Sequence, residues 1–464
     1  MPRRKCPLVM VSLVILGLGF ILPTNQAQAV PSFARQTGLD CTACHTIFPE
    51  LTAVGRNFKM NGYTASKKSD KPYEFPPPIS GAIATSFTHL RKAQPINTLE
   101  FDNKARDNVN LPQEMSLFYA GRILPYFGAF VQGNYDGIAN KFALDHTDIR
   151  PSVKTELGNK SLVLGLTFNN APGVQDVINT TAAFGFPWIS SDVALAPAAS
   201  TVLDGGLDFQ VAGAGAYAYW NNLIYAELTF YTSGRKGPFQ FMNAGNLTET
   251  RVDGVAPYWR VFAQHQWGKQ SLSLGTFGLI TRVFPEKDAE DAQGNPIPNL
   301  QRTTGPSDKF TDIAVDMQYQ YIGKKHLVTA QTIWITEFQH FQANNELGNT
   351  QNVNNRLNTY KLNLNYYYRT NDWGTLGATW AFFSTWGSKD EGLFAPNPGD
   401  GSRTSKPNTN GFILEANYSP WKYTKVTLQY TIYNKFNGAH NNYDGFGRNA
   451  LGNNTLFIAL WGAI

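Results

Sequence analysis

The sequence predicts an all-β fold, a transmembrane antiparallel β-barrel of about sixteen strands, behind a short N-terminal segment of different character. Three observations predict it. From Ile79 onward apolar residues recur at every second position, as in Ile224, Ala226, Leu228 and Phe230 against Tyr225, Glu227, Thr229 and Tyr231. Period two means strands with one apolar and one polar face. The connections between these runs mostly alternate tight and long, which is the arrangement of an outer-membrane barrel. Composition agrees, with 13% aromatic and only 16% charged residues and no second long apolar run after the N-terminus. That argues against a helical membrane protein and suits aromatic girdles around a polar lumen.

In chain order, Arg3, Arg4 and Lys5 precede an uncharged apolar run from Leu8 to Leu22 and the small-residue site Ala27-Gln28-Ala29. These are the parts of a secretory signal peptide, expected over residues 1–29. The apolar run is too short for a comfortable membrane anchor. Its removal takes Cys6 with it and lowers the formal charge from +5 to about +2. No clustered Lys/Arg stripe remains to bind nucleic acid. Residues 30–78 form a second unit. In its linker, Lys67-Lys68-Ser69-Asp70-Lys71 runs into Glu74-Phe75-Pro76-Pro77-Pro78, whose proline end is stiff.

The barrel is expected over residues 79–464. Its strands begin near Ile79, Glu114, Tyr126, Phe142, Lys160, Leu207, Asn222, Ala256, Gln270, Lys309, Lys325, Arg356, Trp373, Thr409, Lys422 and Asn453. Tight turns fall at Leu124-Pro125, Gly158-Asn159, Asn221-Asn222, Gly268-Lys269, Gly323-Lys324, Asn371-Asp372 and Pro420-Trp421. Long loops fall near 92–113, 171–206, 234–255, 284–308, 342–355, 388–408 and 438–452, with a short exception around Gly137-Ile138. A soluble all-β protein of two or three sandwiches would not alternate connections in this way, and no linker interrupts the run. An even strand number returns both barrel ends, and so the N-terminal unit, to the periplasmic turn side. The last strand ends on Ile464 instead of the aromatic residue usual in bacterial barrels. The stretch from Asn169 to Pro187, rich in Ala, Gly and Pro, is placed to fold inward as a constriction.

Chemistry concentrates in Cys41-Thr42-Ala43-Cys44-His45. A C-x-x-C-H run lets two thiols form thioethers to the vinyl groups of one haem while the adjacent imidazole meets the iron. A zinc site needs about four ligands, and no second Cys/His pair stands at ligand spacing. A redox C-x-x-C wants a βαβ context, which the pattern lacks. One covalent haem c is therefore expected on Cys41 and Cys44, with His45 as proximal ligand. Export supports this, because c-type haem is attached outside the bacterial inner membrane. Met60 could return to the iron as sixth ligand after a short helix around Glu50 to Phe58. His89 and His146 could reach in from the wall, and His265, His326, His340 and His440 read as barrel or loop residues.

The haem-bearing stretch is short of apolar residues for burying a haem alone. A sixteen-stranded barrel encloses a lumen open to water unless something fills it. Both problems are solved if the segment docks in the barrel.

Val30-Pro31-Ser32-Phe33-Ala34-Arg35-Gln36-Thr37-Gly38-Leu39-Asp40 before the haem motif, with Phe48-Pro49-Glu50-Leu51 and Gly55-Arg56-Asn57-Phe58-Lys59-Met60-Asn61-Gly62-Tyr63 behind it, resembles the fused cytochrome–porin proteins of bacterial outer membranes. The best-known relatives are the iron oxidases of iron-oxidising bacteria, although similar fusions occur in bacteria not known to oxidise iron. The resemblance implies outer-membrane electron transfer, and it carries over only Cys41, Cys44 and His45 as functional residues. The leading expectation is an electron conduit between an extracellular donor, such as Fe(II), and a periplasmic cytochrome, which would make the chain an Fe(II):cytochrome oxidoreductase. The alternative is a porin-like channel with the haem segment as plug or sensor. A peroxidase-like enzyme would need distal acid–base residues that nothing in the sequence identifies. Glu286, Asp288, Glu290, Asp291, Asp390, Glu391 and Asp400 are acidic loop residues that would either draw cations to the entrance or simply be solvated.

Overall fold

A computed structural model describes residues 31–46, 50–67, 77–95, 106–180, 190–233, 251–285, 289–290, 296–297 and 305–464. The expected signal peptide, most of the linker, and Glu286, Asp288 and Asp291 lie outside the described residues.

Alternation becomes sixteen long strands: β1 (Ile79–Leu90), β2 (Asp107–Leu124), β3 (Phe127–Asp136), β4 (Lys141–Leu157), β5 (Lys160–Asn169), β6 (Ala212–Trp220), β7 (Ile224–Thr232), β8 (Ala256–Trp267), β9 (Gln270–Phe284), β10 (Asp308–Ile322), β11 (His326–His340), β12 (Asn354–Arg369), β13 (Thr375–Gly387), β14 (Thr409–Ser419), β15 (Thr424–Lys435) and β16 (Thr455–Ala463). Each pairs antiparallel with its sequence neighbour. β1 also pairs with β16, from Ala82 opposite Ala463 to Leu90 opposite Thr455, and this closes the barrel. Gly81 and Ile464 exchange backbone hydrogen bonds at 3.0 and 2.8 Å at the seam. Closure removes the exposed edges that an open sheet would offer to other chains.

The period-two pattern sorts by face. Along β7, Ile224, Leu228 and Phe230 are exposed on the outside, while Tyr225, Glu227, Thr229 and Tyr231 are buried on the inside. The same outward apolar set continues through Leu274, Val315, Leu364, Leu414, Leu428 and Leu460. Buried Gln264, Asp316, Gln318, Gln320, Gln331, Asn365, Asn417 and Gln429 stand inside. Such a wall crosses a bilayer with strands, since apolar residues meet lipid and every ladder hydrogen bond is made within the closed sheet.

Two strand starts differ from the sequence expectation. β2 begins at Asp107 and not near Glu114, because its ladder with β1 continues past a bulge between Ala84 and Ser86 up to His89 opposite Asp107. β6 begins at Ala212 and not near Leu207. Leu203, Leu207 and Val211 instead pack against Tyr231, Tyr258, Phe277 and Leu279 on the inner wall.

The connection from β5 to β6 turns inward. Residues 170–178 are buried throughout, and Gln175 donates to Glu227 at 3.1 Å and Thr180 to Asp316 at 2.6 Å. Asp176 pairs with Arg260 at 2.9 Å. The second leg is tied by the N–H groups of Val202 and Leu203, which donate to Glu337 at 2.6 Å and to Asp312 at 3.0 Å. The expected inward constriction is present over its described part. At the loop end, Asp390 is buried and accepts N–H bonds from Gln351, Asn352, Gly392 and Leu393. Burial alone would raise its pKa, but these donors prevail and hold it below the usual carboxylate range. Asp390 thus joins two loops together and is no solvated cation lure, whereas Glu391 and Asp400 are exposed.

Candidate cofactor site

The described N-terminal segment is three short helices: α1 (Pro31–Thr37), α2 (Cys41–Cys44) and α3 (Ala53–Met60). Proline suits the first position of α1, where its missing N–H costs nothing. Thr52 caps α3 by accepting from Gly55 N–H at 3.3 Å, and its hydroxyl donates to Ala43 C=O at 2.7 Å. One side chain therefore joins α3 to the C-x-x-C-H turn. Gly55 allows the approach, because a Cβ there would lie 2.4 Å from the Cys44 carbonyl oxygen. The expected helix is three residues late, over Ala53–Met60 and not Glu50–Phe58. Glu50 and Leu51 are not helical, and Leu51 bridges to His45.

The segment's polar groups meet inward-facing wall residues. Arg56 is fully buried and donates to Gln264 at 2.6 Å, Gln318 at 2.5 Å and Gln320 at 3.0 Å. Tyr63 donates to Asp148 at 2.6 Å, and Lys59 stands 3.6 Å from the same carboxylate. Tyr217 donates to the Met60 carbonyl at 2.8 Å. Glu50 accepts from Thr46 at 2.7 Å, from Tyr367 at 3.3 Å and from Asn365. At the tight-turn end Lys422 pairs with Asp40, and Arg369 donates to Thr42 C=O at 3.5 Å. Gly128 of β3 lacks a Cβ that would otherwise lie 2.3 Å from the Gly62 carbonyl oxygen.

Burial sets the charge states of these groups. It pushes the Glu50 carboxyl up to about 7 against the opposing pull of its hydrogen bonds. It pushes Lys59 down to about 8, with Asp148 opposing, and Arg56 down to about 10.

Cys41, Cys44 and His45 all line one cavity of about 1090 Å³ of non-atom space, counting its open part. Its walls include Phe33, Leu39, Leu51, Phe58 and Ile178, with Phe130 and His146 from the barrel. Phe33 lies 5.0 Å from Phe58 and 5.3 Å from Tyr63, and Phe130 lies 5.0 Å from His146, centroid to centroid. The residues fit a c-type haem: two thiols outside any disulfide, an adjacent imidazole and an apolar, aromatic cleft converge.

The other readings of the motif fit less well. Burial, with Cys41 beside it, pushes the Cys44 thiol up to about 11, opposite to the lowered pKa that a redox C-x-x-C uses. Among the described residues no group of three or more His, Cys, Asp or Glu is arranged to hold a metal ion.

Met60 is fully buried among Val163, Val177, Tyr217, Tyr219, Tyr225 and Phe262, and is not among the residues lining the cavity. His89 sits at the far end of β1, with Nδ1 2.6 Å from Asp107. His326 meets the Tyr366 hydroxyl at 2.8 Å, His340 meets Asn354 at 2.8 Å, His265 stacks on Trp267, and His440 contacts the Asn434 carbonyl. These are wall and loop residues. Sequence reasoning missed Arg56 and Asp148. The hint was a run of inward-facing charges with no solvent to face.

Neither a protein-family model nor a curated protein matches the chain. Its fold is similar to solved outer-membrane barrels at low identity. The anion-selective porin of Comamonas acidovorans is 11% identical with a TM-score of 0.44, over 83% of this chain and 98% of that one. OprB of Pseudomonas putida is 10% identical with a TM-score of 0.46, over 86% and 96%. OmpT of Vibrio cholerae is 10% identical with a TM-score of 0.41, over 83% and 96%.

Proposed function

We propose that the protein is an outer-membrane electron conduit. Its N-terminal segment carries one covalent haem as a plug in the barrel and relays electrons between an extracellular donor and a periplasmic cytochrome. The observation that carries this reading is the single cavity shared by Cys41, Cys44, His45 and the barrel wall. A haem held there supplies one-electron redox chemistry. Cys41 and Cys44 would anchor it, and His45 would hold the iron. Phe33, Phe58 and Phe130 give the cleft apolar walls, and the barrel would keep the site apart from lipid. Arg56, Tyr63 and Lys59 lock the segment to Gln264, Gln318, Gln320 and Asp148, so that the site holds its position relative to both mouths.

The tight-turn end, where Asp40 and Thr42 meet Lys422 and Arg369, would face the periplasm and the accepting cytochrome. Each electron taken from a donor such as Fe(II), which becomes Fe(III), leaves as one electron to that acceptor. Stopped-flow mixing of the purified chain with Fe(II) should bring up reduced-haem bands. An unchanged spectrum with Fe(II) and with stronger one-electron donors would count against the conduit.

A second reading is a channel with the segment as plug or sensor. The barrel itself favours it, since sixteen strands can enclose an aqueous pore. The inward-folded 170–178 stretch and the buried Arg56 network weigh against free passage. Rapid uptake of small sugars by vesicles holding the wild-type chain would favour the channel.

A further inference from the structure

Resting on the haem-plug reading, we infer that His146, on the barrel wall, is the second axial ligand of the haem held by His45. His146 belongs to β4, and in β4 the ladder to β3 slips. Val131 faces Thr147 while Gly133 faces Leu144, so Gln132 alone spans Asp145 and His146. A bulge of this kind places two successive side chains on one face and re-aims them, and bulges concentrate beside functional sites. Beyond the bulge the even positions Asp148, Arg150 and Ser152 point inward, and His146 shares their parity. Before it Asp145 points inward too, taking a 2.6 Å hydrogen bond from Asn134. Without the extra residue, one of the two would face lipid.

The bulge delivers His146 to the cavity lined by Cys41, Cys44 and His45, and it is only 4% exposed. A neutral imidazole brings a nitrogen lone pair into that cleft, the donor a low-spin haem iron takes. Two other candidates fit less well. The Met60 thioether is packed in an apolar cluster with Ile178, Tyr217 and Tyr225; Ile178 lines the cavity but Met60 does not. The Lys59 ammonium lines the cavity but is paired with Asp148, and an ammonium has no lone pair to give.

The test uses the purified full chain with its haem attached, in detergent, read by optical and electron paramagnetic resonance spectra. The wild type should be six-coordinate and low-spin, without the charge-transfer band of a methionine-ligated ferric haem. His146→Ala should turn high-spin and return to low-spin on adding imidazole. His146→Met should gain the methionine charge-transfer band, a signature misfolding would not produce. Met60→Leu should keep the wild-type spectrum. An unaltered low-spin spectrum in both His146 variants would overturn the inference alone. A wild-type chain with no covalent haem would overturn the haem-plug reading and the inference with it.

Discussion

Along β7 the outward residues Ile224, Leu228 and Phe230 make no side-chain hydrogen bonds and need none in lipid, whereas their inward neighbours form a web. Tyr225 and Thr229 donate to Glu227 at 2.5 and 2.7 Å, and Tyr231 donates to Asn169 at 2.7 Å. One face obeys a local rule of hydrophobicity; the other bonds both along its own strand, as at Glu227, and to distant residues, as from Tyr231 to Asn169. The contrast teaches where this chain carries its function. Substitutions outside change how well the wall sits in a membrane, and substitutions inside change what the wall holds.

The largest effect is expected on the haem attachment proposed for Cys41 and Cys44. Cys44→Ala or Cys41→Ala should remove or sharply weaken covalent haem staining on a denaturing gel, while the protein still fractionates with outer membranes. Loss of both properties together would mean that the barrel depends on the segment, and the two regions would not be separable as described.

Next is the inward carboxylate of Asp148. It accepts twice from Arg150 at 2.9 Å and once from Tyr63, and Lys59 is beside it. Asp148→Ala leaves buried cations unpaired and should cost roughly 3–5 kcal/mol, read as a lower unfolding midpoint. An unchanged midpoint would break the claim that the inner face is held by charge.

On the outer face, Leu228→Arg should cost about 2–4 kcal/mol if Leu228 lies near the bilayer midplane. The same variant should leave the haem spectrum untouched. A spectral change would break the division between faces.

The faces also differ in how far they were legible. Outward alternation is a property of neighbouring residues, so most strand starts and tight turns could be read directly, Ile79, Lys160, Ala256, Gln270 and Thr409 to the residue. The inner face pairs Arg56 with Gln264, 208 positions away, and Glu50 with Tyr367, 317 positions away. Nothing local signals such partners. The same limit explains β6, whose start was misread because Leu207 looks like a strand residue until it packs inside the lumen. That Cys41, Cys44 and His45 line one cavity was legible because the three lie within five residues of one another. Met60 as ligand rested on spacing alone, and spacing does not reveal that Met60 packs with Tyr217, Tyr225 and Ile178 and is not among the residues lining the cavity.

A smaller effect should follow pH. In the folded chain Glu50 keeps its proton up to about 7, against an ordinary 4.5, so between these values the native state binds more protons than the unfolded one. Stability should therefore fall as pH rises through that window and level off above it. Glu50→Gln, which fits the same hydrogen-bonding site without ionising, should flatten the slope in unfolding midpoints taken across the window. A slope that persists in Glu50→Gln would mean another group carries it.

The most direct test of the central claim places the wild-type chain in liposomes enclosing a soluble cytochrome, with ferrous iron outside. The account predicts that the enclosed cytochrome is reduced while small sugars stay out, and that Cys44→Ala abolishes the reduction. Free sugar entry with no reduction of the enclosed cytochrome would contradict it.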